Sequence, residues 1–288
     1  MRKQWSMREK KLLKAVLFVT ILFADVALLS YLYSGTFGKL QLDGAKAMQA
    51  VRNQQVTAEI YDTCAGYEQG GHGHDRYAYL FAYLYTGELA EKELTAFLTK
   101  LHKQDGRQYD RYSGYERAIW SDVEWFPVPE AVQYPRLGVA FEDSWMQSRT
   151  FGGDRVHEGC DIMAAWNKRG HYPVYSVSDG VVEQMGWLRL GGYRIGIRGR
   201  NGGYYYYAHL SDYPDNLKKG DTVAAGELLG FMGDSGYGEE EGTVGMFDVH
   251  LHFGIYLNDE YGREFSVNPY GILKYYEQTK RKFLYKTE

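Results

Sequence analysis

The sequence predicts a mainly β domain of antiparallel strands, preceded by a helical region and one N-terminal transmembrane helix. Three features carry this expectation. An apolar run follows a basic N-terminus, residues 36–130 show helical periodicity, and from about residue 136 short runs of Val, Ile and Tyr alternate with glycine turns. The 288 residues suffice for one large domain or two small ones. A formal net charge of -4 argues against a general nucleic-acid binder. With 27 tyrosines, 34 glycines and only 6 prolines, the composition suits strands joined by tight turns. The 2 cysteines, Cys64 and Cys160, make no disulfide framework and read as one bridge or two thiols.

Residues 1–14 carry Arg2, Lys3, Arg8, Lys10, Lys11 and Lys14 against the single acid Glu9. Residues 15–33 are apolar except for Thr20, Asp25 and Ser30. As a helix this run spans about 28 Å, the thickness of a bilayer's hydrocarbon core. Asp25 costs about 2.5–3.5 kcal/mol on insertion scales, which the many Leu, Val, Ile and Phe residues offset. The run is longer than a signal-peptide core and no A-x-A site follows it. The expectation is a single-pass anchor in the cell membrane, with a cytoplasmic N-terminus and everything beyond residue 35 extracytoplasmic.

In the helical region, Ala45, Met48, Val51, Val56 and Ile60 recur at near-helical spacing. "DRYAYLFAYLYTG" and "LAEKELTAFLTKLHKQ" read as two further helices divided at Gly87 and Glu88, and Pro127 and Pro129 mark a boundary. "GGHGHD" at 70–75 sets His72 and His74 beside Asp75; the flanking glycines give a metal no rigid frame, so this reads as a solvated loop. His102 reads as a surface residue. In the β region, "RNGG" joins two strands as a hairpin, and residues 273–288 read as a C-terminal helix or tail.

The histidines of the β region hold the chemistry. His250 and His252 lie two apart on one strand, so their side chains share a face with Cα atoms about 6.6 Å apart. Taken alone, the pair suits a metal or the wet face of a half-exposed strand about equally. His157 and Asp161 lie four apart, about 13 Å on a straight strand, and Gly159 between them permits a bend. Imidazole nitrogen and carboxylate oxygen are zinc donors, and a catalytic site keeps a position open for water. His209 ends the strand "YYYYAHLS". Alternation groups it with Tyr205 and Tyr207, leaving Tyr204, Tyr206 and Ala208 opposite, and by itself it reads as a strand-end residue bonded to a loop. His171 reads as a turn residue.

Taken in order, "HEGCD", "YYAHLS", "VAAGELLGFMGDSG" and "HLHFGI" resemble the lysostaphin-type (LytM-type) zinc metallopeptidases, peptidase family M23, over roughly residues 145–270. The resemblance implies a duplicated-hybrid-motif-like antiparallel sheet over residues 136–272. It also implies one Zn2+ per chain on His157, Asp161 and His252, with His209 and His250 as catalytic, non-ligand histidines. The activity it implies is extracytoplasmic hydrolysis of peptide bonds in bacterial peptidoglycan. The alternative it leaves is a silent scaffold binding a partner in the cell wall or during sporulation engulfment. Cys160 falls at a variable position of the pattern. The sequence departs from the family at residues 237–249, which separate Gly236 from His250; this insertion reads as a surface hairpin or a wall of the substrate groove, with Glu239–Glu241 solvated. The region 36–130 lies outside the pattern and is expected to restrain the enzyme or dock a protein partner.

Overall fold

The computed structural model describes residues 7–32, 40–134, 137–150 and 153–284. The chain divides into two units, Met1–Leu42 and Asp43–Glu288. The first holds one helix, Met7–Leu32, whose described apolar side chains, among them Phe18, Phe23 and Leu29, are exposed. Among the described residues no helix is long and apolar enough to cross a membrane. The expected span reaches Tyr33 and several side chains outside that description, as do Arg2 and Lys3 of its basic flank and residues 285–288 of the tail.

The second unit opens with five helices: Gly44–Asn53, Ala58–Glu68, Arg76–Thr86, Glu91–Gln104 and Gly106–Trp120. The periodic stretch 45–60 is two helices, not one. Gln54 ends the first in a left-handed conformation, φ 44°, and Thr57 caps the second by accepting from the Ile60 amide. Gly87, with φ 79°, closes the third helix on the Tyr83 carbonyl, where the sequence divides the two helical runs. Leu80, Phe81, Leu94, Leu98 and Leu101 are buried in the bundle, and Phe81 stacks on Tyr112 at 4.6 Å. Each such side chain contributes about 1.5–3 kcal/mol by leaving water. His74 is buried, in contrast to the solvated loop expected. Its Nδ1 meets Tyr109 Oη at 3.0 Å and its Nε2 meets Thr99 Oγ1 at 3.2 Å, so both ring nitrogens are engaged by neutral hydroxyls. Asp75 caps the helix Arg76–Thr86 and pairs with Arg117. Cys64 and Cys160 are free thiols, both buried.

Among the described residues the main sheet has ten strands and is antiparallel throughout. Its path runs Thr222–Val223, Gly180–Leu188, Gly192–Arg198, Tyr204–Asp212, His250–Asn258, Cys160–Ala164, Val139–Ala140. Leu228–Met232 pairs with Pro173–Tyr175 and with Tyr204–Asp212, and Glu264–Val267 pairs with His250–Asn258. The turn 199–203 closes on the Gly199 amide and the Gly203 carbonyl at 2.8 Å, making the predicted hairpin. Beyond the sheet, Tyr270–Tyr276 is a helix, and Lys282–Phe283 returns to pair in parallel with Glu130–Ala131.

The helices are packed into the same body as the sheet. Asn268 N–H donates to the Arg52 carbonyl at 2.8 Å, and Tyr205 Oη donates to the Ala118 carbonyl at 3.2 Å. Gly271 lies so close to the Val56 carbonyl that a Cβ there would stand 2.6 Å from it. Within the bundle, Trp120 Nε1 donates to Gln54 Oε1 at 3.0 Å, while Gln54 Nε2 donates to both oxygens of Glu116 at 3.0 and 2.9 Å. Burial pushes the Glu116 carboxyl up to about 8, against the partial relief of the Gln54 bond. The unfolded chain releases this proton near pH 4.5 and the folded chain near 8, so ionisation opposes folding. Stability from this group is complete below about pH 4.5 and falls as pH rises to about 8, by on the order of 3–5 kcal/mol. Replacing Glu116 with Gln is expected to flatten that slope and raise Tm at pH 9 by at least about 5 °C. Thermal melts of both proteins between pH 5 and pH 9 check it, and parallel pH profiles would contradict it.

Candidate active site

Register brings the site together. The strand His250–Asn258 lies between Tyr204–Asp212 and Cys160–Ala164, and His252 is directly opposite both Ala208 and Asp161. His157 enters from the loop after Arg155–Val156, and His157, Asp161 and His252 meet. His157 Nε2, Asp161 Oδ1 and His252 Nδ1 form a triangle with all three edges 3.0 Å. Four donors set tetrahedrally around an ion at 2.0–2.1 Å stand about 3.3–3.4 Å apart, so this triangle is slightly tighter than a zinc site requires.

The donor set fits a cation. His157 Nδ1 lies 3.1 Å from the Ser144 carbonyl and 2.9 Å from Ser144 Oγ. A carbonyl only accepts, so Nδ1 carries the proton and the lone pair at Nε2 faces the triangle. The other oxygen of Asp161 accepts from Arg149 Nη2 at 2.8 Å, which leaves Oδ1 as the inward donor. Burial would raise the Asp161 carboxyl, but the adjacent His157 and His252 imidazoles outweigh it and hold it far below the usual carboxylate range. Burial lowers His252, with Asp161 opposing, and favours its neutral form.

Gly159 serves a close approach. A Cβ there would stand 2.5 Å from His252 Cε1, 2.6 Å from its Nε2 and 2.8 Å from the Phe253 carbonyl. Its neighbour Cys160 turns away from the triangle into the core, where Sγ donates to the Glu142 carbonyl at 3.4 Å.

His209 and His250 flank the triangle, their rings 4.7 Å apart. Each donates from Nδ1 to a backbone carbonyl, His209 to Ser235 at 2.8 Å and His250 to Asp248 at 2.7 Å. Both therefore hold Nε2 free to accept or deliver a proton, and His250 Nε2 lies 3.8 Å from Asp161 Oδ1. Burial is the main cause that lowers His209 well below the ordinary imidazole value, and the neighbouring His250 and His252 add to it.

The face expected for His209 is corrected by the structure. His209 sits at φ 63°, beside a break in register between Ile195↔Tyr207 and Tyr193↔Leu210. This bulge interrupts the alternation, so His209 lines the cleft together with Tyr206 and Ala208. Tyr205 and Tyr207 are fully buried, bonded to Ala118 and Val177. A left-handed non-glycine residue costs on the order of 1–3 kcal/mol, and the His209 amide bond to the Gly191 carbonyl at 2.8 Å helps hold it.

The cleft, about 430 Å³, is lined by these histidines and Asp161 with Arg155, Tyr206, Tyr237 and Tyr256 among others. No residue of the five helices lines it. The insertion 237–249 does reach the site: Tyr237 and Phe247 pack their rings 5.7 and 4.7 Å from that of His209, and Glu239 pairs with Arg189. Ser144, Arg149, Arg155 and Tyr237 escape sequence reading because each acts through a contact distant along the chain. A motif signal exists only for Ser235, in "GDSG", whose carbonyl orients His209.

Residues 155–264 match the model of peptidase family M23. An L-Ala–D-Glu endopeptidase of Bacillus subtilis is 44% identical over 156 residues, covering 53% of this chain and 44% of that protein. Lysostaphin of Staphylococcus simulans is 34% identical over 104 residues, covering 35% of this chain and 19% of that protein. The chain thus spans less than half the length of these curated relatives. A crystal structure of a LytM protein from Ruminococcus gnavus is 44% identical, with a TM-score of 0.69, covering 82% of this chain and 94% of that one.

The Gly159 contact makes a prediction for the triangle. In Gly159→Ala the His252 ring must move, and affinity for a divalent metal is expected to fall by about 10–100-fold. Metal titration checks this, and unchanged affinity would show that the close approach does not position His252.

Proposed function

Because the chain belongs to peptidase family M23, we propose that it is a zinc endopeptidase that hydrolyses peptide bonds of bacterial peptidoglycan from a membrane anchor. The observation that carries this reading is the triangle of His157, Asp161 and His252 beside two histidines of defined tautomer. A zinc ion held by those three residues would supply Lewis acidity toward a scissile carbonyl and acidify an attacking water. Ser144 and Arg149 keep the donor atoms aimed inward. His209 and His250 present Nε2 to the cleft. One takes the proton from the attacking water, and the other stabilises the developing oxyanion or protonates the departing amine. Peptidoglycan as substrate rests on the relatives, an L-Ala–D-Glu endopeptidase and lysostaphin among them.

His250→Ala is expected to keep its zinc and lower kcat by about 10²–10⁴-fold, whereas His252→Ala loses zinc and hydrolysis together. Metal analysis, with mass spectrometry of the muropeptides released from purified walls, reads both quantities. Zinc loss in both variants would contradict the division of roles, and a zinc-loaded wild type that releases no muropeptide would overturn the function.

The anchor follows from the basic segment 1–14 and the apolar residues 15–33. With the N-terminus in the cytoplasm, protease added to wall-stripped cells is expected to digest the β domain. Full protection of residues 136–288 would place the domain on the other side.

A further inference from the structure

Resting on the endopeptidase reading, we propose that the loop 165–172 positions both histidines that flank the His157–Asp161–His252 triangle, His250 through Asn167 and His209 through Arg169. The loop joins the strand Cys160–Ala164 to the strand Pro173–Tyr175. It is tied down along its length. Ala165 N–H donates to the Gly138 carbonyl at 3.0 Å, Trp166 N–H to Tyr172 Oη at 2.8 Å and Gly170 N–H to the Met232 carbonyl at 2.9 Å. Tyr172 is buried, and Gly170 turns the chain at φ 77°, a conformation that glycine adopts without strain. Asn167 and Arg169 are thus carried on a fixed backbone.

Asn167 grips the two residues before His250. Its Oδ1 accepts from the Val249 amide at 2.8 Å, and its Nδ2 donates to Asp248 Oδ1 at 2.7 Å. A backbone amide only donates, so the Asn167 atom facing it is the oxygen, and the amino group is left for the Asp248 carboxylate. The Asp248 carbonyl in turn accepts from His250 Nδ1 at 2.7 Å. Holding that carbonyl in place holds the proton on Nδ1 and leaves Nε2 for the cleft.

Arg169 grips the other side. Its Nε donates to one oxygen of the buried Asp234 and its Nη2 to the other at 2.9 Å, a two-point bond that sets orientation as well as place. Asp234 Oδ2 also accepts from the Gly245 amide at 3.0 Å. The carbonyls on either side of Asp234 serve the two histidines. Gly233 accepts from the His250 amide at 3.1 Å, and Ser235 accepts from His209 Nδ1 at 2.8 Å. Surface insertions are more mobile than the elements they join, and the insertion 237–249 runs from the Ser235 side to Asp248 and Val249. One loop holds it at both ends, so the two carbonyls that orient His209 and His250 share a frame.

The test uses the zinc-loaded full chain in detergent with isotope-labelled histidine, at about pH 8, above the ordinary imidazole range. Nitrogen NMR shifts report which ring nitrogen carries the proton. Wild type is expected to show Nδ1–H at both His209 and His250. Asn167→Ala is expected to mix the two tautomers at His250 alone. On soluble peptidoglycan fragments its kcat falls about tenfold with KM and zinc content unchanged, a part of the 10²–10⁴-fold that a proton-transferring group contributes. Asn167→Asp sets two carboxylates together and is expected to be no better. Combined with Asp248→Asn it exchanges donor and acceptor, and restores both the tautomer and kcat. Arg169→Gln mixes the tautomers at His209, and Arg169→Lys, which keeps the charge but loses the fork, does so less. A pure Nδ1–H tautomer at His250 in Asn167→Ala, or at His209 in both Arg169 variants, overturns the assignment. So does zinc loss as the source of low activity, or an exchanged pair that folds and holds zinc without regaining kcat. If zinc-loaded wild type cuts no peptidoglycan the endopeptidase reading falls, and the tautomers still decide whether the loop holds the two rings.

Discussion

Everything at the site depends on one strand, His250–Asn258, being hydrogen-bonded on both sides with a fixed register. That register sets His252 against Asp161 on one side and Ala208 on the other. A slip of one residue would turn His250 and His252 into the core and bring Leu251 and Phe253, both wholly buried, to the cleft. The apolar burial of those two side chains therefore enforces the polar geometry opposite them. Geometric precision at the site is a consequence of core packing, because the same alternation serves both faces.

The surrounding polar contacts act on orientation more than on stability. Ser144, Ser235 and Asp248 each offer a backbone carbonyl that fixes the proton on one imidazole nitrogen. Arg149 fixes which carboxylate oxygen faces inward. These contacts decide where lone pairs point, and a metal site needs that before it needs affinity.

Legibility in the sequence follows the range of the interaction. The hairpin at 199–203 and the helices on either side of Gly87 depend on local turn and cap chemistry, and local patterns express it. His157, Asp161, His209, His250 and His252 could be grouped only because the motifs that hold them resemble, in order, those of a known family. The face of His209 could not be read by alternation, since its bulge is imposed by the neighbouring strand and leaves no mark within "YYYYAHLS". The burial of His74 arises from Thr99 and Tyr109 on later helices. The break at Gln54 likewise depends on Glu116 and Trp120, more than sixty residues away. Arg149 and Asn167 are ordinary surface-type residues in sequence, and only their partners, Asp161 and Asp248, give them meaning.

The parallel pairing of Glu130–Ala131 with Lys282–Phe283 has a mechanical consequence. It joins the segment that enters the β domain to the segment that leaves it, through Glu130 N–H to the Arg281 carbonyl at 2.7 Å and Val132 N–H to the Phe283 carbonyl at 3.3 Å. In a parallel pair, tension applied before Glu130 and after Phe283 pulls the strands past each other, so the bonds are loaded together in shear. An antiparallel closure pulled at its open end would peel one bond at a time. Between these two strands the β domain is a loop pinned at its neck, and a load drawn along the chain is borne there before it reaches the strand that carries His250 and His252.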